Sequence, residues 1–297
     1  MGKLILLALC LIVVCVSVAG PASATYDKRI DIVTFCCPCT TDKHLCQPQF
    51  DALNWQSVNG HILAMGSDAH YDEIHANGNF LAVYYNSLND NWSTMTATQK
   101  ADQIQSWCNT QFPSVMPTWL VLNEISAGTW PGNATYRQWV IDVVSRLKNT
   151  YGHRVVICSP FATPGANDSS WQSLADVSEA IGIECYLTGQ DINASGNSVS
   201  WCQTQYQNSK NAYIARGVSS AKLFLVENFA NTVTNTAWGR SGVSYAGWDN
   251  AIRTRSQAAH NVGFTGFVSY AWSGNDMLVS DTDLIHFEQT YASQPLP

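Results

Sequence analysis

Glutamate is scarce in this chain, six residues in 297, and three of the six stand where short apolar runs end. Glu124 closes TWLVLNE, Glu184 closes IGIE and Glu227 closes KLFLVE. A carboxylate at the end of a buried run must either raise its pKa or find a partner, because desolvation penalises its charged form. Such positions point to chemistry more than to solvation of a surface. Two carboxyls held near one another push their pKa values apart, so one keeps a proton to give while the other stays a carboxylate free to attack. The chemistry expected here is therefore proton transfer coupled to nucleophilic attack.

Other chemistries lack their residues. No G-x-S-x-G elbow is present, and Ser159-Pro160 has no flanking glycines. No H-E-x-x-H occurs, His70 and His75 are too loosely spaced for a metal pair, and no glycine-rich phosphate loop follows an apolar run. No metal and no cofactor is expected. With a formal charge of −7 and only 12% charged residues, the chain has no basic stretch for nucleic acid or an anionic membrane. Eleven tryptophans and twelve tyrosines instead suit a cleft in which aromatic faces stack on sugar rings.

These carboxylates need a scaffold that brings strand ends together. Apolar runs at 31–35, 61–65, 79–85, 118–123, 154–159, 181–186, 222–227 and 263–272 read as strands buried on both faces. Amphipathic segments at 98–112, 136–151, 171–180, 199–216 and 247–261 alternate with them, and a last helix is expected at 283–292. In 136–151, Val140, Val143, Val144 and Leu147 recur at helical spacing. The economical arrangement is an α/β fold, a single-domain (β/α)8 TIM barrel over residues 25–297, with an open doubly wound sheet as the alternative. Residues 1–24 read as a secretory signal peptide ending in Ala22-Ser23-Ala24, the alternative being an uncleaved anchor. The expected protein is secreted, extracellular, free of the membrane after cleavage, and a monomer. Beyond the leader stand Cys36, Cys37, Cys39, Cys46, Cys108, Cys158, Cys185 and Cys202, an even set that in an exported chain favours disulfides over zinc.

In such a barrel the active groups sit where strands end. Asn123-Glu124 on the fourth strand, Glu227 on the seventh and Trp272-Ser273 on the eighth resemble the pattern of clan A glycoside hydrolases, the superfamily of retaining cellulases and mannanases. The resemblance implies a glycoside hydrolase with Glu124 as acid/base, Glu227 as nucleophile, Asn123 on a sugar hydroxyl and Tyr186 beside the nucleophile. Retaining cleavage needs two carboxyls about 5 to 5.5 Å apart. Strands four and seven lie on opposite sides of a barrel mouth, so Glu124 and Glu227 are expected to flank the bond, with Glu184 in support. Trp130, Trp238 and Trp272 are expected to line the cleft and hold the carbohydrate substrate. The chain departs from the clan at Gly66-Ser67-Asp68-Ala69-His70, where several families carry arginine, and at Glu184-Cys185-Tyr186, where they tend to have His-x-Tyr. The rival reading is a secreted barrel that binds carbohydrate without cleaving it.

Overall fold

A computed structural model describes residues 28–33, 61–65, 80–113, 116–164, 169–228 and 242–270. Its elements run β1 (Lys28–Val33), β2 (His61–Met65), β3 (Phe80–Tyr85), α1 (Ala97–Gln111), β4 (Trp119–Leu122), α2 (Ala134–Asn149), β5 (Arg154–Ser159) and α3 (Ser169–Val177). They continue with β6 (Ala180–Glu184), α4 (Gly189–Ala194), α5 (Val199–Ile214), β7 (Leu223–Asn228), α6 (Tyr245–Val262) and β8 (Gly266–Tyr270). All eight strands pair in parallel with their sequence neighbours, and β8 pairs with β1, which closes the barrel. The expected (β/α)8 architecture is thus observed. The helix expected at 283–292 and the leader at 1–24 lie outside the described residues. Among the described residues no helix is long and apolar enough to cross a membrane.

Strand alternation divides the apolar residues into two cores. Ala82, Tyr84, Trp119, Val121, Val156, Cys158, Ala180, Phe224, Val226 and Val268 fill the barrel interior. Their strand neighbours, such as Leu120, Leu122, Val155, Ile157, Ile181, Ile183, Leu223 and Leu225, pack outward against the helices. Each helix offers the facing stripe that its spacing implies: on α2, Val140, Val143, Val144 and Leu147 are all buried. Fully burying each such side chain contributes about 1.5–3 kcal/mol. The interior is tight enough to require glycine, since a Cβ at Gly266 would lie 2.4 Å from the Phe224 ring.

Local signals set the element ends. Thr96 and Gln99 form a capping box at the start of α1, Asn133 caps α2 through the Tyr136 N–H, and Ser198 and Ser244 cap α5 and α6. Gly263 adopts φ 71° and donates its N–H to the carbonyls of Ala259 and His260, ending α6. That cap is why β8 starts at Gly266 and not at residue 263. The short helix α4 was not expected; Thr188 opens it, its hydroxyl accepting from the Asp191 N–H at 3.1 Å.

Candidate active site

Parity along β6 and β7 decides which of their carboxyls reaches the mouth. On β6, Ala180 lies in the interior while Ile181 and Ile183 face the helices, so Glu184 points inward at the carboxyl end. Its carboxyl has the Glu124 carboxyl and Tyr186 as neighbours. Burial pushes the Glu184 carboxyl up, to about 9; the neighbouring Glu124 charge and the hydrogen bond with Glu124 add to the rise, and Tyr186 opposes it. At neutral pH this pair therefore holds one proton between its two carboxyls, of which Glu184, 8% exposed, is the more buried. Below the pair, the Cys158 thiol is pushed well up by burial and then by the charges of Glu184 and Glu124.

Glu124 stands two residues beyond β4, and its backbone is gripped from three sides. The Asn123 N–H donates to the Tyr85 carbonyl at 2.9 Å, and the Ile125 N–H to the Cys158 carbonyl at 3.1 Å. Asn89, in the turn after β3, donates from Nδ2 to the Glu124 carbonyl at 2.7 Å. The Tyr136 hydroxyl of α2 in turn donates to Asn89 Oδ1 and accepts from the Ser126 N–H at 2.8 Å. Lys100 on α1 ties that turn by donating to the carbonyls of Ser87 and Asp90. Asn123 shares the inward parity of Trp119 and Val121 and is half-buried. Tyr186 is half-buried and packs on the interior core.

Glu227 does not join this group. Leu223 and Leu225 place the odd-numbered positions of β7 toward the helices, and Glu227 follows them. It is 0% exposed, with Oε2 held by Arg255 Nη1 of α6 at 2.8 Å and Oε1 accepting from the Tyr206 hydroxyl of α5. Burial pushes its carboxyl up, to about 7, against the pull of Arg255, Tyr206 and the Asn228 N–H. The expectation that Glu227 faces Glu124 across the mouth is corrected. Asn228 takes the inward parity of Phe224 and Val226, and Glu184 is the carboxyl that meets Glu124.

Trp130 is also corrected. It is 2% exposed, lying 4.7 Å from the Trp171 ring centroid and edge-on to Tyr136, so it belongs to the layer between barrel and helices. Trp238 and Trp272 lie outside the described residues. Cys108, Cys158, Cys185 and Cys202 are free buried thiols, which corrects the disulfide expectation for these four; each is enclosed in packed core. Cys36, Cys37, Cys39 and Cys46 lie outside the described residues. No cluster of three or more His, Cys, Asp or Glu among the described residues could hold a metal ion.

Sequence reasoning missed Asn89, Tyr136, Tyr206 and Arg255. For Arg255 a signal existed. It falls in the middle of the apolar stripe Ala251, Ile252, Ala258 and Ala259, where a guanidinium requires a buried partner.

No family model matches the chain, and no curated protein matches it in sequence. Among solved structures it is similar to the GH18 chitinase ChiB from the chitin utilization locus of Flavobacterium johnsoniae. That likeness has 12% identity and a TM-score of 0.57 over 90% of this chain and 95% of that one. It is similar to a GH18 chitinase from Cycas revoluta at 8% identity and a TM-score of 0.56, over 90% and 98% of the two chains. A β-glucuronidase from Ruminococcus gnavus matches at 10% identity and a TM-score of 0.56, over 83% of this chain but 43% of that one. At these identities the likeness is one of fold.

Proposed function

We propose that this protein is a secreted glycoside hydrolase that cleaves O-glycosidic bonds of an oligo- or polysaccharide with retention, and that Glu124 and Glu184 are its reacting carboxyls. The observation that carries the reading is the pair itself: two neighbouring carboxyl side chains at the carboxyl end of a parallel barrel, buried so that they hold a proton between them. The fold shared with two chitinases and a β-glucuronidase supports it.

Glu184, carrying the proton, gives it to the glycosidic oxygen as the bond to the anomeric carbon breaks. Glu124 attacks that carbon and forms a glycosyl ester. Water then displaces Glu124, losing a proton to Glu184, and both groups return to their starting states. Neighbouring carboxyls suit the retaining separation of about 5 to 5.5 Å better than the about 6.5 to 9.5 Å that an inverting pair needs for its water. Asn123 lies beside Glu124 to meet a sugar hydroxyl, and Tyr186 orients Glu184.

The test is release of reducing sugar from a panel of chitooligosaccharides, β-glucans, mannans and xylans, with the first-formed anomer followed by NMR. Wild type should release sugar with retention. Glu124→Gln should be inactive on every substrate, whereas Glu184→Gln should keep activity on activated aryl glycosides and gain rate with azide. Glycan binding without release by the wild type would establish the non-catalytic barrel instead, and an inverted product would remove Glu124 as nucleophile.

A further inference from the structure

Glu227 and Arg255 form an ion pair with almost no water access, Glu227 at 0% and Arg255 at 1% exposed. Stability alone does not account for such a pair, because an apolar pair of the same volume in the same place is commonly as stable or more so. What distinguishes it is where the guanidinium reaches. Arg255 Nη1 donates to Glu227 Oε2 at 2.8 Å, to the Asn228 carbonyl at 3.1 Å and to the Leu187 carbonyl at 3.3 Å. Asn228 is the last residue of β7, and Leu187 directly follows Tyr186 in the segment leaving β6. One nitrogen on α6 thus joins the carboxyl ends of two adjacent strands.

Between Glu184 and the start of α4, the Cys185 N–H reaches the Val226 carbonyl only at 3.4 Å, and Thr188 is engaged in capping α4. The other Glu227 oxygen is fixed by the Tyr206 hydroxyl, so α5 and α6 hold the carboxylate between them. Among the described residues the remaining titratable groups facing Glu227 are the thiols of Cys185 and Cys202, and the Cys185 Sγ accepts from Ser209 Oγ at 3.3 Å. Among the described residues Arg255 is the cation whose side chain meets Glu227.

Resting on the hydrolase reading above, we propose that Arg255 is a positioning residue: braced by Glu227 and Tyr206, it clamps the Leu187 and Asn228 carbonyls and so keeps Glu184 and Tyr186 in register with Glu124. The Glu227–Arg255 pair is then a strut behind the site, touching no substrate.

The experiment replaces both charges at once, Glu227→Met with Arg255→Met, so that neither is left buried alone, and confirms folding by thermal unfolding and circular dichroism. Two readouts follow on the folded variant. The first is a titration of Glu184 in the unliganded protein by carboxyl carbon NMR, assigned by comparison with Glu184→Gln. The second is kcat and KM on the best glycan. The Glu184 midpoint should move down as its contact with Glu124 loosens, while burial keeps it above the ordinary carboxylate range. In parallel kcat should fall about 100-fold with KM changed less than about 3-fold, since small misplacements act on the reacting geometry. An unchanged Glu184 titration in a folded double variant overturns the strut, whatever the activity. Absence of sugar release by the wild type sinks the hydrolase reading while the titration still decides the strut. Should the double variant not fold, Arg255→Lys serves. It keeps the charge, but its ammonium ends one bond short of the Nη1 position and cannot meet both carbonyls and Glu227 from there, so it should lower the Glu184 midpoint in the same direction; a folded Arg255→Lys protein with the wild-type midpoint overturns the proposal equally.

Discussion

Replacing Glu184 with glutamine should make the protein more stable than wild type, and increasingly so as pH rises. The sign follows from proton binding. The Glu184 carboxyl titrates near 4.5 when unfolded and is pushed up to about 9 in the folded protein. Between those values the folded state holds a proton that the unfolded state has released, so raising the pH favours unfolding. One such proton lowers stability by at most about 1.4 kcal/mol per pH unit, or about 4 kcal/mol between pH 5 and 8. Because Glu124 lies against Glu184 the proton belongs to the pair, and the measured slope should be smaller than that limit. Glutamine has the volume and the donor of the protonated acid but takes up no proton. Glu227 contributes a dependence of the same sign up to about pH 7, and it cancels when the two proteins are compared. Urea unfolding of both at pH 5, 6, 7 and 8 measures the difference. A stability difference that stays constant over this range, or that shrinks as pH rises, refutes the buried protonated pair.

The catalytic rate carries the same proton: kcat/KM should persist through neutral pH and fall as the free enzyme is titrated above about pH 9. An alkaline fall already complete at pH 6 contradicts Glu184 as the acid. Asn89→Ala removes the donor on the Glu124 carbonyl and the acceptor for Tyr136, and should cost about 1–3 kcal/mol of stability while lowering kcat more than it raises KM; a variant with wild-type kcat would show that Glu124 needs no such grip. Trp130→Ala should destabilise by about 3–5 kcal/mol as a core truncation, with glycan KM unchanged in the folded protein. A raised KM at unaltered stability would return Trp130 to the cleft.

The number and order of strands were legible because eight apolar runs alternate with segments of helical spacing, and sequential parallel neighbours leave few alternatives to a closed barrel. Which side of a strand faces the mouth was another matter. A parallel strand covered on both faces is apolar at every position, so hydrophobicity says nothing about parity. On β7 the run Leu223, Phe224, Leu225, Val226 offers no contrast, and only its strand-end position and the clan A resemblance direct Glu227 to the mouth. On β6 the contrast exists. Ala180 and Gly182 alternate with Ile181 and Ile183, and a Cβ on Gly182 would lie 2.7 Å from Val226 Cγ2, inside the barrel. Small residues therefore marked the crowded inner face, and Glu184 shares their parity. The same reasoning makes Arg255 intelligible. A carboxylate turned outward at the end of β7 cannot reach water through the helix layer, so some helix must bring it a cation, and the charged break in the apolar stripe of α6 is where that cation stands. The partnership of Glu227 with Arg255 and that of Glu184 with Glu124 are thus two consequences of one alternation, read on adjacent strands in opposite phase.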